Sequence, residues 1–363
     1  MLTLSDIHNL LRELSNRKVL SVYIETRVTN PAMRDAWRLS LSHALRDLAA
    51  GIPPDERAGF ERAKAALDGV VPQLGGTPGA DGWTAFVTAD GATHAADVPA
   101  RCPTLVAWRD GPVVAPYMRV LKEFQPVIVA LVDSRSARIY RYAWGTLSEL
   151  PELAITVDEH TVPGTDSGAR RSGKAIGAPR SVTGTEEART RQLAAFKGLA
   201  TRLSAHLAEL AVNGAWIVVG GTREWARMAS EALPPHMADH VSVATTLDHD
   251  ATSLEIMEAA KHAASSLRAT RGKALLQSLL DHSGALGRAA TGLPGTQRAL
   301  RASAVDLLLV SPEFVQAEAD DAEEIVRAAL LQGAEIEVVS GDASSRLNRD
   351  SGGVAARLRF AVR

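Results

Sequence analysis

Val127-Ile-Val-Ala-Leu-Val-Asp-Ser-Arg-Ser-Ala-Arg-Ile-Tyr140 is the stretch on which the fold turns. Its apolar start, Val127 to Val132, reads as a buried strand. Asp133-Ser-Arg-Ser136 supplies a turn. Ala137 to Tyr142 then alternates as the return strand of a hairpin. Downstream, Leu193, Phe196, Leu199, Leu203, Leu207 and Leu210 recur at three and four, the stripe of a long amphipathic helix. Thr183 and Glu186 have capping-box spacing and predict its start. Trp216-Ile-Val-Val-Gly220 is a second buried strand, followed by a helix near Glu224 to Leu233 and a strand at Val241 to Leu247. Thr252 and Glu255 repeat the capping-box spacing and open a helix running to His262 or beyond. Strands alternating with helices predict a mixed α/β sheet.

The same alternation extends in both directions. Upstream, Leu4 to Leu14, Pro31 to Ala50 and Pro54 to Leu74 read as helices. Val19 to Thr26, Trp83 to Ala89, His94 to Val98 and Leu105 to Trp108 read as strands. Downstream, Thr296 to Ala302 and Asp320 to Gln332 read as helices. Val305 to Val310, Glu335 to Ser340 and Val354 to Val362 read as strands, together a compact αβα sandwich. The expected fold class is therefore α/β, in three consecutive α/β domains over 1–125, 126–270 and 284–363.

Composition narrows the function. With 40 Lys and Arg against 42 Asp and Glu, the net charge is -2, which excludes a wholly basic nucleic-acid binder. One cysteine, Cys102, excludes an intramolecular disulfide and a Cys-based zinc knuckle. No apolar run approaches membrane-spanning length, and Met1-Leu-Thr-Leu-Ser-Asp6 lacks the features of a leader, so a cytoplasmic location is expected.

The polar stretch 160–184 stands out. Thr161 to Gly184 holds five glycines and the basic residues Arg170, Arg171, Lys174 and Arg180, with Asp166 as its one acid. Gly168 to Lys174 fits seven positions of a phosphate-binding loop, but Ala175 replaces the magnesium-holding hydroxyl. Gly177 and Pro179 follow where a helix should begin, so nucleotide binding is not expected. The glycines allow close backbone approach, and the cations suit phosphate oxygens. A long structureless loop inside a compact domain is usually functional, although a solvated loop has the same composition. The candidate binding residues are Gly164, Gly168, Arg170, Arg171, Gly173, Lys174, Gly177 and Arg180.

Other motifs carry less. His236 and His240 sit four apart without a zincin glutamate between them, and His249 and His262 follow singly, so no metal site is expected. No G-x-S-x-G elbow supports a hydrolase triad. Gly220-Gly221-Thr222 ends a strand before a helix and reads as a tight packing turn rather than a ligand site. Arg346, Arg349, Arg357, Arg359 and Arg363 stand against Asp350, which fits either a solvated face or an RNA or partner surface.

Particular residues resemble those of a known superfamily. Ala334-Glu-Ile-Glu-Val-Val-Ser-Gly-Asp342 and Gly352-Gly-Val-Ala-Ala-Arg-Leu-Arg-Phe360 resemble the end of the third domain of archaeal and eukaryotic class-one release factors and Pelota. Thr291-Gly-Leu through Val310 is similar to the start of that domain, which implies an L7Ae/L30e-like αβα sandwich. Val127 to Tyr140 resembles the opening hairpin of the middle domain, and Val19 to Thr26 the first strand of bacterial members. The resemblance is closest to the bacterial branch of release-factor-like, ribosome-hibernation and rescue proteins.

It implies rRNA in the ribosomal A site as the target of the 160–184 loop. It also implies a possible translational GTPase partner such as elongation factor Tu, and neither cofactor nor membrane. The departures are informative. In release factors this loop carries the hydrolytic Gly-Gly-Gln; here 160–184 has no Gln and no Gly-Gly pair, and Gln192 lies in the following helix. The stop-codon-reading Asn-Ile-Lys-Ser is absent as well. A non-hydrolytic A-site factor is thus expected, with no catalytic residue assigned. A peptidyl-tRNA hydrolase using backbone amides and a binding module acting off the ribosome stay open beside it.

Overall fold

The computed structural model describes residues 2–27, 36–71, 81–102, 104–155, 182–212, 214–285 and 287–362. It contains three sheets in two compact units, one formed by 1–124 with 268–363 and the other by 125–267.

The first unit starts with helix α1 (Leu4–Leu14), strand β1 (Lys18–Glu25), and helices α2 (Ala36–Gly51) and α3 (Arg57–Val70). Thr3 caps α1 through a reciprocal capping box with Asp6. Strands β2 (Gly82–Thr88), β3 (Thr93–Val98) and β4 (Leu105–Asp110) complete an antiparallel sheet in the order β3-β2-β1-β4. Alternation along β1 sends Leu20, Val22 and Ile24 against α2 and α3, and Val19 and Tyr23 into a second core. Helix α4 (Ala115–Glu123) follows, with Pro116 in its first turn.

The second unit is a five-stranded sheet. It comprises β5 (Val127–Val132), β6 (Ser136–Ala143), β7 (Thr146–Ala154), helix α5 (Val182–Leu210), β8 (Trp216–Gly221), helix α6 (Arg223–Glu231) and β9 (Val241–Ala244). The order is β7-β6-β5-β8-β9, with β5, β8 and β9 parallel and the β5–β6–β7 meander antiparallel. All six residues of β5 and of β8 are buried, as continuous apolar runs covered on both faces require. Ile128, Ala130 and Val132 meet α5 and α6, whereas Val127, Val129 and Leu131 meet the first half of helix α7 (Ser253–Ala285). The Thr252–Glu255 capping box is formed, and α7 runs unbroken through the region expected to separate two domains. Helix α5 begins at Val182, so Thr183 lies inside it rather than capping it.

The last sheet comprises β10 (Ala289–Thr291), β11 (Val305–Val310), β12 (Glu335–Val338) and β13 (Val354–Leu358), ordered β10-β13-β11-β12. Helices α8 (Gly292–Arg301), α9 (Pro312–Ala317) and α10 (Ala319–Leu331) cover one face. The end of α7 and helix α11 (Asp342–Ser351) cover the other. The protein thus has the expected mixed α/β class, with an αβα sandwich last. The first and last sheets share a continuous core of α1, α4, α8 and α10 residues, including Leu11, Tyr117, Leu300 and Ile325. Among the described residues no helix is long and apolar enough to cross a membrane.

Candidate functional site

The candidate site is the rim of the middle sheet where β5 and β8 end. Asp133 Oδ1 accepts the N–H groups of Arg135 at 2.6 Å and Ser136 at 2.7 Å, folding the hairpin turn. Ser136 pairs with Ala154, so β7 ends at the same rim. The Ile155 N–H donates to the Arg135 carbonyl at 2.8 Å, and there the chain departs into 156–181. It returns as α5, whose Arg189 lies 3.2 Å from Glu224 in the first turn of α6. Phe196 and Trp225 pack beside this pair, ring centroids 4.5 Å apart. Ile155, the last described residue before 156–181, therefore lies at the carboxyl end of the parallel strands β5 and β8, where α/β sheets place ligand sites.

Backbone packing shapes this rim. A Cβ on Gly221, at φ +118°, would stand 2.0 Å from the Val132 carbonyl oxygen, and one on Gly220 2.8 Å from Leu131. Both glycines let β8 close against its neighbours, as the packing-turn reading expected.

His249 sits over the turn. Its Nε2 is 3.3 Å from Ser136 Oγ and 4.0 Å from Asp133, and Arg138 donates to its carbonyl at 3.1 Å. Its Nδ1 is 3.4 Å from Asp250, whose side chain is 97% exposed. A solvated carboxylate next in the chain does not hold the imidazole as a buried triad acid would. Among the described residues this rim presents Ser136, Arg138 and His249 as hydrogen-bonding groups for a ligand. In the sequence His249 reads as a lone histidine, and Asp133, Ser136 and Arg138 read as parts of a hairpin.

The proposed loop residues Gly164, Gly168, Arg170, Arg171, Gly173, Lys174, Gly177 and Arg180 lie outside the described residues. The C-terminal arginines are described, apart from Arg363, and spread over separate elements. Arg346 and Arg349 on α11 both approach Asp350, at 3.4 and 3.3 Å. Arg357 on β13 is 3.0 Å from Asp306, and Arg359 donates to the Gln332 carbonyl. Their charge is thus partly matched by acids of the same chain. His240 stacks on Trp216, centroids 5.2 Å apart, and His236 is exposed. Among the described residues no group of three metal-ligating side chains converges.

Residues 112–265, which hold the whole middle sheet and its rim, match the model of bacterial archaeo-eukaryotic release factor family 10. That segment is similar to the release-factor-like family, and the match covers the middle sheet and not the rest of the chain. Among solved structures, Pelota of Archaeoglobus fulgidus is similar at 17% identity and TM-score 0.34, over 78% of this chain and 80% of that one. The archaeal translation termination factor aRF1 is similar at 19% identity and TM-score 0.27, over 99% of each chain. Dom34 of S. cerevisiae, described as a translation termination-like factor interacting with Hbs1, is similar at 11% identity and TM-score 0.47, over 75% of this chain and 74% of that one. No curated protein matches the chain.

Proposed function

We propose that this protein is a ribosome-binding translation factor that occupies the A site and acts in hibernation or rescue, without stop-codon reading or Gly-Gly-Gln hydrolysis. The observation that carries this reading is the family match over 112–265, on a domain whose 160–184 loop replaces Gly-Gly-Gln with glycines and four cations. The superfamily's middle-domain loop reaches ribosomal RNA. In this chain Arg170, Arg171, Lys174 and Arg180 would meet phosphates there, with the glycines admitting close backbone approach. Arg346, Arg349, Arg357 and Arg359 offer a secondary surface for rRNA or a translational GTPase such as elongation factor Tu. Domains of 1–125, 126–270 and 284–363 and a cytoplasmic location belong to the same reading.

The test is co-sedimentation of the full chain with ribosomes on sucrose gradients, from growing and starved cells and at several salt concentrations. Changing Arg170, Arg171, Lys174 and Arg180 together to Ala should weaken binding. It should also flatten the log–log salt slope by about 0.7–0.9 per lost phosphate contact. Stalled complexes should keep their peptidyl-tRNA ester when the protein is added. Equal binding by parent and quadruple variant at every salt would remove the loop from the interface.

A further inference from the structure

Strand β4 is the free edge of the first sheet, since it pairs with β1 alone. The ladder fixes which of its backbone groups point outward. Gly111 N–H donates to the Arg17 carbonyl at 2.9 Å, so in alternation Arg109, Ala107 and Leu105 exchange bonds with Val19, Ser21 and Tyr23. The N–H and C=O groups of Val106 and Trp108 therefore face away from the sheet. Among the described residues nothing pairs with them. The next outward carbonyl, that of Asp110, is taken by the Arg327 guanidinium, which marks one end of the open stretch.

A groove of about 490 Å³ runs along this edge. The five consecutive residues Leu105–Arg109 line it, with Pro116, Arg119 and Val120 of α4 and Val315 of α9 opposite. Natural sheets usually block such edges with proline, bulges or covering elements. Leu105-Val-Ala-Trp108 carries no charge and no proline, and its pairing with β1 is unshifted throughout.

We propose that this groove binds an extended segment of a partner protein by strand addition to β4. The occupant follows from the groove's chemistry. Alternating outward donors and acceptors at Val106 and Trp108 are satisfied together by an extended backbone, whereas a helix has its own groups already paired. At about 3.3 Å per residue, the lined stretch takes about five residues. Side chains directed toward α4 meet Val120 and Val315 and should be apolar. Two guanidiniums flank the groove. Arg109 is 2.7 Å from Asp320, and Arg119 has Glu123 at 3.9 Å. Asp320 also lines the groove and offsets Arg109, so Arg119 is the cation left to complement a carboxylate on the segment. This site is independent of the ribosomal reading and lies outside the 112–265 match except for α4.

The probe is a phage-displayed heptapeptide library selected on the full chain, with one enriched peptide then titrated by fluorescence anisotropy. Enriched sequences should alternate apolar residues around an Asp or Glu, and the bound peptide should slow amide exchange at Val106 and Trp108. Val106→Pro deletes an outward donor while keeping the ladder to β1, so it should weaken binding about tenfold or more. Val106→Ala retains the donor and should bind within about threefold of the parent. Should Val106→Pro fail to fold, Arg119→Glu decides. It should weaken the acidic peptide and strengthen the same peptide carrying Lys at the acidic position. Absence of enrichment, or equal binding by Val106→Pro and by Arg119→Glu, overturns the proposal. So does a homodimer of the parent that Val106→Pro dissociates, since the edge then serves a second copy.

Discussion

In the unit formed by 1–124 and 268–363, Glu323 and Glu337 are buried, and each is engaged by α4 of the first sheet. In the unit 125–267 no charged residue among the described residues is buried, and Asp133, Arg138 and His249 stand at the rim of an apolar sheet. The difference follows from what each core must cover. The middle sheet satisfies its buried backbone by strand pairing, so its interior needs no charge. The shared core of the first unit instead buries the amino end of α4, whose first N–H groups have no partner within the helix. Glu323 of α10 supplies the acceptor, taking Val114 N–H at 2.8 Å and Ala115 N–H at 2.7 Å through one oxygen. Tyr23 and Ser21 of β1 hold the preceding Val113, through its carbonyl at 2.6 Å and its N–H at 2.9 Å.

The largest effect expected from this contrast is at Glu323. Glu323→Ala strands two buried N–H groups and opens a void, which should lower stability by about 3 kcal/mol in urea denaturation. A loss below about 0.5 kcal/mol would mean that the α4 terminus finds another acceptor or water.

The same carboxyl gives a pH dependence. Burial outweighs the two N–H groups and nearby Arg109 and Arg327, pushing its pKa from 4.5 up to about 7. A group whose folded value is raised contributes stability that is full below its unfolded value. That contribution is lost as pH rises toward and through the folded value. Its loss should therefore begin near pH 4.5 and be nearly complete by about pH 8, at up to ~3 kcal/mol in total. Glu323→Gln keeps an acceptor without the charge, so its stability should change less between pH 6 and 8. Parallel parent and variant curves across that window would assign the titration elsewhere.

Lys122 tests the second charged contact. Its Nζ is 3.2 Å from Glu337, whose side chain is 4% exposed, while Arg271 stays 4.0 Å from the same carboxylate. Lys122→Ala should cost about 2 kcal/mol, less than loss of a sole partner, because Arg271 continues to screen the acid. Adding Arg271→Ala should cost more than the two single losses summed, and simple additivity would separate the two cations.

What the sequence discloses follows this division. Val127–Val132 and Trp216–Gly221 are legible because a buried strand must be apolar throughout, and Thr252 with Glu255 because a capping box is local. Helix α11 escapes, since Asp342-Ala-Ser-Ser-Arg-Leu-Asn-Arg-Asp-Ser351 is polar and anchors on Ala343 and Leu347 against the last sheet. Helix α4 is short and depends on Glu323, more than 200 positions away. Glu323 itself reads as one acid among several at the start of α10. Continuity of α7 hides from a search for linkers, because one helix serves the cores of both units. The basic glycine stretch is legible by composition alone.

The smallest stability effect is expected at the rim. Asp133→Ala removes the acceptor for two turn N–H groups, but its side chain is 41% exposed, and water can replace it at Arg135 and Ser136. The loss should be about 1 kcal/mol, a third of that at Glu323. The turn also orients Ser136 beside His249 and anchors Ile155, the last described residue before the loop. If the rim positions that loop, Asp133→Ala should weaken ribosome co-sedimentation while leaving the salt slope at the parent value, because no phosphate contact is deleted. A flattened slope would mean that the loop cations have lost their register on the RNA. Unchanged binding would separate the turn from the ribosome contact.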